Sequence, residues 1–164
     1  MLKELVERGY RGWAIYLDAD AFILDQDFDL EHLLTTQANK AAILTLAGAP
    51  EGWWDVNAGV MIMNLRHPST RSLIRRWKEL LDRVPDKVLM EAEVWADGLD
   101  DQSFLQVALR QWPAIRRHIH FSSMDVINSP QASFIRQFIR LMGSVEERSL
   151  LIEREVASIL LGAG

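Results

Sequence analysis

The stretch that most constrains this chain is Trp13-Ala14-Ile15-Tyr16-Leu17, five apolar residues without interruption, followed by Asp18-Ala19-Asp20 and then by apolar Ala21-Phe22-Ile23-Leu24. A strand covered on both faces loses the alternation of apolar and polar residues, so the run predicts a buried strand in a layered domain. It ends on two aspartates two positions apart. In extended backbone, residues i and i+2 project to the same side, so the Asp18 and Asp20 carboxylates are expected to converge where the strand leaves the sheet. Strand ends are where open α/β sheets bind ligands. Like charges held close together are relieved by a raised pKa or a bound cation. An oxygen-only donor set suits Mg2+ or Mn2+. Such a metal would bridge to phosphate oxygens and neutralise charge growing on a leaving diphosphate. The plainer alternative is a strand-end turn with two solvated aspartates. The apolar flanks on both sides of the pair favour the functional reading.

Further along, Leu2, Leu5 and Val6 predict a short opening helix that stops at Gly9. A short helix is predicted from Asp27 to Leu34, and a strand from Ala41 to Leu46. A loop from Gly48 to Asp55 carries the pair Trp53-Trp54, and Val60 to Met63 predicts a third strand, entered through Asn57-Ala58-Gly59. Pro68 suits a helix first turn. Leu73, Ile74, Trp77, Leu80 and Leu81 then form one apolar stripe, and Pro85 closes it. Asp100 is a candidate N-cap for a helix that shares Leu105, Ala108, Leu109 and Trp112 on one face. His118 to Phe121 predicts a short strand. Phe134, Ile135, Phe138, Ile139 and Met142 suggest an amphipathic helix with Arg136 and Arg140 solvated. Ser144 and Glu147 form a capping box for a C-terminal helix over 144–162, with a stripe of Ile152, Val156, Ile159 and Leu160. Strands alternating with helices indicate an α/β fold. No internal repeat or linker breaks the chain, so 1–164 is expected to be a single domain.

Charge and composition remove several function classes. The chain of 164 residues has 18 basic and 23 acidic residues, a net charge of −5, which is the wrong sign for a nucleic-acid footprint. Cysteine is absent, so disulfides, thiolate metal sites and cysteine nucleophiles are excluded. No apolar run has the length of a transmembrane segment. The charged start Met1-Leu2-Lys3-Glu4 has no signal-peptide core, so a cytoplasmic location is expected.

Three segments then occur in a particular order: Tyr16-Leu17-Asp18-Ala19-Asp20-Ala21, Asn57-Ala58-Gly59 running into Val60-Met61-Ile62-Met63-Asn64-Leu65, and Asp101-Gln102-Ser103. Together they resemble the GT-A glycosyltransferases of families 8 and 34, the glycogenin-like and galactosyl- or mannosyltransferase groups, over residues 10–112. The resemblance implies a GT-A-like mixed sheet flanked by helices. It also implies a metal-dependent, retaining transfer of a sugar from a nucleotide-sugar donor to a glycan or other acceptor. Asp18 would touch ribose and metal, and Asp20 would ligate Mn2+ or Mg2+. Asn57, with Ala58 and Gly59, would hold the donor. Asp101 would hold sugar hydroxyls, and Gln102 would lie under the anomeric carbon. An oxocarbenium-like centre is stabilised by such negative or dipolar groups.

Several of these residues have a second role open to them. Asp101 also suits a helix N-terminal dipole. Asn57 also suits a turn. Trp53 and Trp54 could stack on a sugar or simply pack, whereas Trp77 and Trp112 read as core. Two departures stand out. The family places a nucleotide-binding unit before its acidic pair, and only 17 residues precede Asp18 here, so the resemblance describes an N-terminally truncated domain. A homodimer covering the open sheet edge is then expected. The family also carries a C-terminal histidine as a metal ligand, where this chain has Ile135-Arg136-Gln137-Phe138; His118 and His120 read as structural, and Arg136 is a candidate for phosphate. Two other functions compete. A haloacid-dehalogenase-type phosphatase would use Asp18 as nucleophile and Asp20 as general acid, with Thr45, Lys78 or Lys87, and Asp100-Asp101 completing its motifs. A non-catalytic transferase half would act only as a binding module.

Overall fold

The computed structural model describes residues 1–91, 100–138 and 143–162. It is a mixed α/β arrangement with two sheets. Helix α1 (Leu2–Glu7) leads into β1 (Trp13–Leu17) and β2 (Ala21–Ile23), followed by α2 (Leu30–Thr36). Strands β3 (Ala42–Leu46) and β4 (Val56–Asn64) precede helices α3 (Pro68–Leu81), α4 (Asp86–Glu91) and α5 (Asp101–Arg110). A 3-10 helix (Pro113–His118) then leads to β5 (Ile119–Phe121), β6 (Ile127–Ser129), β7 (Ile135–Gln137) and α6 (Val145–Gly162). The larger sheet has the order β1-β4-β3-β5, with β4 antiparallel to both neighbours and β3 parallel to β5. The smaller sheet has the order β2-β7-β6.

The larger sheet is covered on both faces, which explains the unbroken apolar runs. Along β4, Ala58, Met61 and Met63 enter one core with Leu73 and Trp77 of α3 and Leu105 and Leu109 of α5. Val60 and Ile62 enter a second core with Ile127 of β6, Ile135 of β7 and the half-buried Leu30, Leu33 and Leu34 of α2. Strand β1 divides the same way: Ala14 and Tyr16 pack on the first core, and Trp13, Ile15 and Leu17 on the second. Each large side chain moved from water into such a core contributes about 1.5–3 kcal/mol. Buried polar groups are tied down: Thr70 Oγ1 donates to Ala41 O at 2.7 Å, and Asn64 Nδ2 donates to Lys40 O at 2.9 Å.

Several sequence expectations hold. Pro68 opens α3, and Asp100 caps α5 by accepting from Ser103 N–H at 2.7 Å. The Ser144–Glu147 capping box forms, with reciprocal bonds of 2.8 and 3.2 Å. Trp77 is core, whereas Trp112 is half-buried with Arg76 over its ring. Trp53 and Trp54 are partly buried and meet edge to face.

Other expectations need correction. Asn57-Ala58-Gly59 does not lead into a strand; it lies inside β4 and pairs with β3 through Thr45 and Asn57. The helix proposed around Phe134 is a strand: Ile135 and Gln137 are buried while Arg136 between them is not, the period of two. Short apolar runs fit either period, and here the pairing of Ile23 with Ile135 decides it. Ile139, Arg140 and Met142 lie outside the described residues. The α2 helix starts later than expected, because Asp29 is its N-cap, accepting from His32 N–H at 2.9 Å. The stripe on α6 is not a core face, since no residue of that helix is buried. No helix among the described residues is long and apolar enough to cross a membrane.

Candidate functional site

The acidic pair sits on the turn that carries the chain from one sheet to the other. Asp18 N–H donates to Gly59 O at 2.8 Å, which holds the start of the turn to β4. Ala21 N–H donates to Asp18 O at 3.0 Å and closes a four-residue turn. Phe138 N–H donates to Asp20 O at 3.0 Å, which holds the end of the turn to the chain leaving β7. The backbone at the pair is therefore a turn and not an extended strand end. The expected convergence occurs, but the turn produces it rather than the side-chain alternation of a strand.

Both carboxylates reach one group. Gln137 Nε2 lies 3.4 Å from Asp18 Oδ2 and 3.1 Å from Asp20 Oδ1. The amide is oriented from its other end, where Asn57 Nδ2 donates to Gln137 Oε1 at 3.3 Å. Asn57 is fixed in turn, because its Oδ1 accepts from Gly59 N–H at 2.9 Å. A Cβ at Gly59 would stand 2.0 Å from Gln137 Nε2, so the glycine supplies the space that the glutamine fills. The space over Gly59, expected to admit a ligand, is filled by this side chain instead.

Behind Asn57, the buried Asn128 donates through Nδ2 to Thr45 Oγ1 and to Asn57 O. Asn128 adopts φ 72°, a left-handed conformation that asparagine tolerates better than most residues. Its buried Oδ1 has no hydrogen-bond partner among the described residues.

Tyr16 lies on the other flank of Asp18. Burial first, then its hydrogen bond to the Asp18 carboxylate and the negative charges of Asp18 and Asp101, push the Tyr16 phenol up to about 12. The hydroxyl is therefore a proton donor to Asp18 at neutral pH. Asp101 is near enough to act on Tyr16 electrostatically, and the two share a cleft of about 300 Å3 walled by Leu2, Ile74, Trp77 and Leu81. Asp101 opens α5, and its backbone carbonyl accepts from Trp77 Nε1 at 2.8 Å, locking the helix start to α3. Gln102 reaches β4: its side-chain Oε1 accepts from Ala58 N–H at 2.9 Å. The three sequence segments thus meet at one end of the larger sheet.

Among the described residues, the cation paired with the acidic pair is one that the sequence alone did not point to. Arg148 of α6 places Nη1 3.4 Å from Asp20 Oδ2 and 3.4 Å from Phe138 O. Arg136, the candidate for phosphate, points elsewhere and pairs with Glu155 at 2.7 Å. His118 stacks obliquely on His67, and burial lowers the His67 and His120 pKa values. Gln137 stands two positions from Ile135, at strand spacing, and Arg148 follows the capping-box Glu147, but neither position carries a local signal of the contact it makes.

Two carboxylates and an amide meet here. Among the described residues no three His, Asp or Glu side chains gather as a metal-holding group. The donors that do meet are all hard oxygens on the carboxylate side, which suits Mg2+ or Mn2+. No family model matches this sequence, and no curated protein or solved structure shows significant similarity to it.

Proposed function

We propose that this chain is a metal-dependent glycosyltransferase domain that moves a sugar, with retention, from a nucleoside-diphosphate donor to a glycan or other acceptor. The observation that carries the reading is the aim of the Asp18 and Asp20 carboxylates at a single atom, Gln137 Nε2, beside Asn57 and the start of α5. A divalent cation displacing that amide would be held by the same two carboxylate oxygens and would neutralise the charge of the departing diphosphate.

Asp18 and Asp20 would hold that cation, with the Tyr16 hydroxyl keeping Asp18 in one orientation. Asn57 would face the donor sugar once Gln137 moved aside, while the Ala58 and Gly59 N–H groups stay engaged by Gln102 and Asn57 and serve to position it. The Gln102 side chain, held by the Ala58 N–H, keeps the start of α5 in register with β4. That register presents Asp101 to sugar hydroxyls and to positive charge at the anomeric carbon. Of the residues the phosphatase alternative would use, Thr45 accepts from Asn128 inside the core and Lys78 pairs with Asp82. Strand β1 is an edge of the larger sheet, and a second copy of the chain is the proposed cover for it.

A thermal-shift panel of nucleoside diphosphates with and without manganese tests the reading. Ligand binding raises the melting temperature by mass action. The expected result is a rise that needs both the diphosphate and manganese. A flat response to every nucleoside diphosphate in the presence of manganese contradicts it.

A further inference from the structure

Helix α6 is held to the rest of the protein in an unusual way. None of its 18 residues is buried. Leu151, Ile152 and Val156 are half-buried, while Leu150, Leu160 and Leu161 are exposed. Its ion pairs to the body of the protein, among the described residues, are Arg148 with Asp20 and Glu155 with Arg136. The first of these ends on a residue of the acidic pair.

The Arg148 contact is also incomplete. Its two bonds from Nη1 are both 3.4 Å long, and among the described residues its buried Nε has no hydrogen-bond partner. A buried donor left unpaired carries the full cost of its desolvation. The side chain is only 13% exposed, so water does little to relieve that cost. Each Asp20 carboxylate oxygen meanwhile has a partner: Oδ1 receives Gln137 and Oδ2 receives Arg148. A divalent cation at the pair would bring a second positive charge within a few ångströms of the guanidinium, and the two would repel strongly at this partly buried position.

We propose that Arg148 competes with a divalent cation for Asp20, and that α6 is a latch over the acidic pair which the cation releases. The proposal rests on the reading of Asp18 and Asp20 as a cation site, and it adds the regulation of that site by the chain's own C-terminal helix. The latch is opened by charge substitution rather than by unpacking a core, because no residue of α6 is fully buried.

Manganese alone, titrated into the full chain by calorimetry, tests this. Arg148→Gln is expected to raise manganese affinity about tenfold, the scale of one charge-assisted hydrogen bond. Glu155→Gln, which loosens the far tether without touching Asp20, is expected to raise it by about two- to threefold. Arg154→Gln, which removes an exposed charge from the same helix, serves as the control and is expected to match the parent. Hydrogen exchange in residues 145–162 of the parent is expected to quicken when manganese is added. The latch is overturned if Arg148→Gln stays within twofold of the Arg154→Gln control, if neither protein binds manganese, or if exchange in α6 is unchanged by the metal. Should Arg148→Gln fail to fold, Glu155→Gln and the parent exchange experiment decide alone. If manganese behaves as expected but no nucleoside diphosphate binds any of these proteins, the latch stands and the donor reading fails.

Discussion

Strand β4 and helix α6 both reach the acidic pair, and they are built on opposite physics. Eight of the nine residues of β4 are buried, and its side chains feed two cores at once. Helix α6 is twice as long and has no fully buried residue. One side of the candidate site is therefore set by packing, which is stiff because interiors are close to crystal density. The other side is set by two ion pairs, which are individually weak at partly exposed positions. A site with one rigid wall and one electrostatic wall would hold a ligand in a fixed position and could still open on the electrostatic side.

That contrast can be broken most forcefully at the rigid wall. Ile62 is fully buried between the sheet and the second core. Ile62→Ala is expected to cost about 2–5 kcal/mol, read as a lower urea midpoint with an unchanged slope. A smaller effect is expected at Gly59. Gly59→Ala places a methyl where Gln137 now sits and should cost about 1–3 kcal/mol, as overpacking does. Combining it with Gln137→Ala should recover part of that loss, because the two residues occupy the same space. Strictly additive costs in a double-mutant cycle would show that they do not. The smallest effect belongs to the electrostatic wall. Glu155→Gln removes a tether whose side chains are 25% and 36% exposed, and should cost at most about 1 kcal/mol in urea unfolding. A loss as large as that of Ile62→Ala would mean that α6 is part of the core, and the contrast would fall.

The same division governs what the sequence made legible. The strands of the larger sheet, α3 and the capped start of α5 follow from apolar runs and local caps, because burial and capping leave a mark within a few residues. Asp18, Asp20 and Asn57 were recognisable from their segments, and Gln102 from its place after Asp101. Gln137 was not, because its role depends on β7 lying beside β2, a pairing across more than a hundred residues that no local period records. The segment around it read as a helix since Phe134, Ile135 and Phe138 satisfy helical spacing as well as strand spacing. Arg148 was hidden for a related reason: on an exposed helix, an arginine that reaches another element has the same sequence signature as one that reaches water. Asn128 shows the limit in a third way, since its left-handed backbone and its bond to Asn57 depend on the second sheet being in place.

The central claim is that Asp18 and Asp20 act together on a cation that holds a diphosphate. Calorimetric titration of uridine diphosphate in the presence and absence of manganese, on the parent and on Asp20→Ala, tests it most directly. The account predicts binding to the parent that requires manganese, and no manganese-dependent binding to Asp20→Ala at a melting temperature close to the parent's. Equal manganese-dependent binding to the two proteins would contradict it.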